Sequence, residues 1–300
     1  MPQIDYPDFT RLGTFQTGKP RSERRPYFIY GSVEDWSAAP TLKRIAPEQL
    51  TNNSQDWFFL ERILFVVAGE LSFNTANFFN TTVKLQPTSR QHWPWMDRRL
   101  PLLPLLDNDG ELVTSAAMPF TPNQTTRILT LPAPYPFAPN DSMQIEFECA
   151  LSGDDDKRFM VCLCGYTESQ PAYTAPTVHP LYYGQYAAVQ QGELGIYEFE
   201  IAEPFIMQNM GVRIAEPQGV IPLDLQASPF RYQIKGQKKI IESPAPIGAF
   251  QDYHSRFIPT YDAKLRPGTA VQVSFLNNLS EDIPVTLNTA VVLRGYRDQA

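Results

Sequence analysis

Pro139-Asn140-Asp141-Ser142-Met143-Gln144-Ile145-Glu146-Phe147 and Pro267-Gly268-Thr269-Ala270-Val271-Gln272-Val273-Ser274-Phe275 open two segments that also end alike. The first crosses an acidic loop and closes on Val161-Cys162-Leu163-Cys164-Gly165-Tyr166. The second crosses a polar loop and closes on Ala290-Val291-Val292-Leu293-Arg294-Gly295-Tyr296. The prolines, Gln144 and Gln272, Phe147 and Phe275, and the two Gly-Tyr pairs fall in step. Upstream, Arg127-Ile128-Leu129 echoes Arg256-Phe257-Ile258, and the opening Pro26-Tyr27-Phe28-Ile29-Tyr30-Gly31 echoes Pro180-Leu181-Tyr182-Tyr183-Gly184. A duplicated unit explains matches at the start, late middle and end of both halves.

The unit is a β-unit. Phe79, Thr81, Val83 and Leu85 alternate with polar residues, as do Met143, Ile145, Phe147 and Cys149. In the second half Tyr197, Phe199 and Ile201 alternate, and so do Phe230, Tyr232 and Ile234. Period-two alternation marks strands with one buried and one wet face. Trp57 to Ala68 is apolar on both faces apart from Glu61-Arg62, so periodicity leaves it as a doubly buried strand or a short helix. Ala46-Pro47-Glu48-Gln49-Leu50 fits one helical turn. The 28 scattered prolines disfavour long helices. Eight strands with short turns fill roughly 80–120 residues, so two eight-stranded antiparallel sandwiches in tandem fit the 300 residues.

The expected organisation is an arm over 1–26, a first unit over 27–168, a linker over 169–179 and a second unit over 180–300. From Gly31 to Pro139 is 108 residues, against 83 from Gly184 to Pro267. The first unit thus carries about 25 more, expected near 86–125, where Pro, Leu and the turn signal Asp107-Asn108-Asp109-Gly110 accumulate. The arm holds Arg11, Lys19, Arg21, Arg24 and Arg25 against three acids, whereas the whole chain carries −7. It suits an anionic surface, or a clamp beneath a neighbouring subunit. No secretory signal and no membrane-length apolar run is read.

Catalytic signals are sparse. His92, His179 and His254 are far apart in sequence, a poor basis for a two-barrel metalloenzyme. There is no nucleophile elbow, zincin pair or phosphate loop. Cys149, Cys162 and Cys164 sit at apolar strand positions and are expected as buried free thiols. Asp107 and Asp109, and Asp154, Asp155 and Asp156, are weak candidates for Ca²⁺, more simply turn residues. Trp93 and Trp95 are expected to pack the extra segment against its own barrel or a neighbouring subunit. No cofactor is expected.

Two tandem β-units, a basic arm and no catalytic constellation resemble the double jelly-roll major capsid proteins of the adenovirus–tectivirus–corticovirus lineage, in the small form of bacterial viruses. The resemblance covers residues 27–300 in architecture. It implies two tandem eight-stranded jelly rolls in an all-β chain with an extended N-terminal arm. It also implies a virion component made in the host cytoplasm, forming homotrimers of pseudo-hexagonal outline that tile an icosahedral shell over an internal membrane. Implied partners are neighbouring capsomers, minor or vertex proteins, and lipid or genome met by an inward-facing arm. Open alternatives are a carbohydrate- or receptor-binding tandem sandwich, a minor capsid protein and, least favoured, a bicupin enzyme.

Overall fold

Two tight turns explain the paired prolines. In a computed structural model, Asp141 N–H donates to Ala138 O and Thr269 N–H donates to Arg266 O, both at 3.0 Å. Each turn places proline second and a left-handed residue third, Asn140 at φ 68° and Gly268 at φ 80°. That is the type II arrangement, in which proline presets its own φ and Gly or Asn accepts the positive one.

The structure describes residues 24–33, 41–68, 81–88, 93–107, 126–149, 158–169, 176, 178–215, 229–234, 245–246, 257–277 and 286–298. The first unit contains β1 (Arg25–Val33), β2 (Thr41–Ile45), β3 (Trp57–Ala68), β4 (Thr81–Pro87), β5 (Leu100–Pro101), β6 (Thr126–Phe137), β7 (Met143–Cys149) and β8 (Arg158–Glu168). The second contains β9 (Pro180–Val189), β10 (Leu194–Glu200), β11 (Phe205–Ala215), β12 (Pro229–Ile234), β13 (Ala245–Pro246), β14 (Phe257–Leu265), β15 (Ala270–Leu276) and β16 (Leu287–Arg297). Short 3-10 turns stand at Pro47–Leu50 and Leu103–Leu105.

Strand order gives the fold. The first unit pairs its strands as β1-β8-β3-β6 and β2-β7-β4-β5. The second repeats this as β9-β16-β11-β14 and β10-β15-β12-β13. All pairings are antiparallel. Two such sheets, each taking alternate strands, make the eight-stranded jelly roll. The chain is a double jelly roll.

The Trp57–Ala68 ambiguity resolves as strand β3, its outward face buried at Trp57 and Phe59 but only half-buried at Arg62 and Leu64. Phe58, Leu60, Ile63 and Phe65 enter the core, while Phe59 on the other face stacks on Tyr166, centroids 5.1 Å apart. A bulge between Leu60 and Arg62 turns the pattern over, which is why the alternation is unreadable. β11 bulges at the equivalent place, between Met207 and Asn209. These bulges account for the repeated Gly-Tyr. A Cβ on Gly165 would overlap the carbonyl oxygen of Phe59, and one on Gly295 that of Ile206. The two strands approach so closely that only glycine fits.

The pairing also corrects the opening match. Pro26 lies opposite Tyr166 and Pro180 opposite Tyr296, so the prolines correspond. The glycines do not: with Gly165 set on Gly295, Gly184 corresponds to Tyr30, not to Gly31. The extra length is also divided. Leu100 to Leu129 spans 29 positions where the corresponding Ala245 to Ile258 spans 13. A further seven lie in Pro26 to Phe58, 32 positions against 25 for Pro180 to Phe205, around the Pro47–Leu50 turn.

Replacing Gly165 or Gly295 by Ala should each destabilise the fold by about 3 kcal/mol, as overpacking against backbone does. Gly268→Ala, with open space around it but a positive φ, should cost about 1 kcal/mol. Chemical denaturation of the three variants checks the ranking.

Candidate functional site

The residues that do most in this molecule lie where the two jelly rolls meet. Residues 93–107, which contain β5 at the edge of the first unit's β2-β7-β4-β5 sheet, form a strap between the units. Trp95, Met96, Leu100, Leu102, Leu105 and Leu106 along it are all buried. Trp95 meets Tyr135 edge to face, centroids 5.0 Å apart. Tyr182, Ala290 and Val292 of the second unit belong to the same apolar cluster as the first unit's core. Each large strap side chain contributes roughly 1.5–3 kcal/mol by leaving water.

Gly184 on β9 lets the strap in. A side chain there would press within 3.1 Å of Leu100 Cδ2 and 3.2 Å of Pro101 Cδ. One backbone and one side-chain hydrogen bond fix the register: Tyr182 N–H donates to Trp95 O at 3.0 Å, and Arg98 Nη2 donates to Gly184 O at 3.1 Å.

The polar end of the seam centres on Arg294 of β16. Its Nη1 lies 2.7 Å from Asp107 Oδ1 and its Nη2 donates to Thr130 O at 3.2 Å. Asp107 Oδ2 accepts from Thr130 N–H at 2.6 Å. The guanidinium side chain is only 8% exposed, so the carboxylate is what makes its burial tolerable. A cleft of about 310 Å³ opens beside the pair, lined partly by Tyr182 and Asn209. Burial pushes the Tyr182 hydroxyl's pKa up, so it stays protonated. Further along, Arg297 pairs with Glu203 and lies 4.8 Å over the Trp93 ring. His179 sits buried beside Trp93 and Tyr135.

The expected site residues divide accordingly. Asp107 is committed to Arg294 and Thr130, an inter-unit tie where a calcium ligand was considered. Asp109, Asp154, Asp155 and Asp156 lie outside the described residues, as do Arg11, Lys19 and Arg21. Arg25 is the first residue of β1, paired with Thr167, and Arg24 lies 4.4 Å over the Tyr166 ring and 3.4 Å from Glu168. Both are tied to the first jelly roll, so the sheet begins before the arm's expected end at 26. Among the described residues no three His, Cys, Asp or Glu side chains gather in a metal-binding group. Trp95 packs its segment inward as expected. Cys164 is a buried free thiol as expected and Cys162 a half-buried one; they share the outward face of β8, sulfurs 3.5 Å apart, while Val161 and Leu163 point into the core. Cys149's side chain is not among those described.

Sequence reasoning missed Arg294, Arg297 and Arg98. The signal existed for Arg294. A lone cation in Val291-Val292-Leu293-Arg294-Gly295-Tyr296, on a strand between two others, must find a buried partner.

No protein-family model matches the chain, and no curated protein sequence matches it. Solved structures similar to it include the major capsid protein P2 of bacteriophage PM2, at 9% identity and TM-score 0.43 over 92% of this chain and 99% of that one. The PBCV-1 virus capsid has 9% identity and TM-score 0.43 over 91% and 94%. The Sputnik virophage structure has 11% identity and TM-score 0.38 over 99% and 90%. The double jelly roll itself is read from this chain's own strand orders.

Arg294→Ala and Asp107→Ala should each cost about 1–3 kcal/mol, and the double variant clearly less than their sum, because the two groups share one interaction. A double-mutant cycle on unfolding free energies measures the coupling, and full additivity would contradict the tie.

Proposed function

We propose that this chain is a structural major capsid protein that forms pseudo-hexagonal homotrimers tiling an icosahedral shell. The observation carrying this is the seam. The β5 edge of one jelly roll and the turn that follows it are seated on a different surface, the strand face of β9, β16 and β11, in the next. Such a head-to-tail contact is heterologous and can repeat until it closes a ring. Three chains supply six jelly rolls of one topology, so a six-cornered tile needs only threefold symmetry.

The remaining assignments follow from that reading. The chain is divided into an arm, a first unit that opens with β1 at Arg25 and runs to 168, a linker over 169–179 and a second unit over 180–300. The protein resides in the virion, its partners being neighbouring trimers and minor or vertex proteins. Arg11, Lys19 and Arg21 give the arm charge suited to lipid headgroups or genome phosphate beneath the shell. The role is structural, not enzymatic.

Light scattering on the purified protein should give a mass about three times the 34.1 kDa of one chain. Negative-stain images should show flat particles with a hexagonal outline. A monodisperse monomer at micromolar concentration, or elongated fibres, would overturn the assignment.

A further inference from the structure

The seam inside the chain has a counterpart without an occupant. Strand pairing sets the two units residue by residue. With Gly165 on Gly295, Phe28 corresponds to Tyr182, Tyr30 to Gly184, and Cys162 to Val292. In the second unit this face is covered by the strap and shares the first unit's core. In the first unit the same face leaves Phe28 53% and Tyr30 70% exposed, with half-buried Leu64 and Cys162 directly alongside. Adjacent exposed aromatics on a sheet face mark an interaction surface.

The strap's tip has a counterpart too. Leu100 lies opposite Val83, which lies opposite Phe147. Ala245 lies opposite Phe230, which lies opposite Phe275. Since Phe147 and Phe275 correspond, Ala245-Pro246 stands where Leu100-Pro101 stands. Within the chain, Leu100-Pro101 sits on Gly184. The residue types at the two other positions are exchanged in size: alanine replaces leucine on the edge strand, and tyrosine replaces glycine on the face. A large edge residue meets a small face residue in the existing seam, and a small edge residue is matched to a large face residue in the missing one.

We infer that the β1–β8–β3 outer face, centred on Phe28 and Tyr30, receives the β13 edge, Ala245-Pro246, of a second copy of this chain. This rests on the assembly proposed above and names its contact surfaces. The new seam lacks the ion pair of the old, because Cys164 stands at the position of Arg294. The ring therefore alternates two kinds of seam, one tied by Asp107 and Arg294 and one by aromatic burial.

A photo-crosslinking p-benzoylphenylalanine at position 30 of the full chain tests this. Irradiation should join two chains, and tryptic mapping should place the link in Ile240–Arg256, which carries Ala245 and Pro246. Tyr30→Asp, at a largely exposed position where folding is little affected, should raise the dissociation midpoint of the assembly at least tenfold with unchanged circular dichroism. If the unmodified protein is a trimer but the links fall in other peptides, or within one chain on residues 1–23, the face assignment is wrong and the capsid reading stands. If the unmodified protein is a monomer, both fail.

Discussion

The burial of one strap, residues 93–107, between two sheets is the interaction on which the arrangement depends. Without it the chain would be two sandwiches on a tether. With it the first unit's apolar cluster extends through Leu100 into Tyr182, Ala290 and Val292, and relative position becomes a matter of core packing. Packed cores tolerate little sliding, so the angle between the units is set as firmly as either sandwich. The Arg294–Asp107 pair adds direction: a buried cation accepts only the placement that brings its carboxylate.

The duplication is retained where backbone geometry demands it and lost where neighbours differ. The type II turns, the paired bulges and the glycines facing them recur because they shape the sheets. Tyr30 and Gly184, or Cys164 and Arg294, have diverged because one face is met by the strap and the other is not. Divergence at outward positions lets a repeated fold carry different contacts on its two halves.

Much of this was legible in the sequence. The paired endings announced the duplication, and alternation located strands whose buried positions, such as Tyr197, Phe199 and Ile201, are those the structure buries. Three features were not. Trp57–Ala68 hid its strand character because a bulge changes the phase midway and because outward Trp57 and Phe59 are apolar too, clustered with Tyr166. The opening glycines looked equivalent because sequence spacing carries no register, which only pairing to β8 and β16 supplies. The seam was invisible because Asp107 and Arg294 are 187 residues apart, and local patterns say nothing about such partners.

Each unit closes on its last strand, and that strand is internal: β8 lies between β1 and β3, and β16 between β9 and β11. During synthesis the chain emerges from its N-terminus, so in these two sheets only the β3–β6 and β11–β14 pairs can form before the last strand arrives. The first strand of each, β1 or β9, has no partner in its sheet until that segment arrives. For the first jelly roll the wait is longer still, since Val292, which joins its apolar cluster, lies in β16, the last strand of the second unit. Loop-closure entropy makes such non-local pairing slow. A nascent chain of this kind exposes unpaired edges and apolar surface until β16 has been made, so the hazard of misassembly is greatest while that strand is still to come.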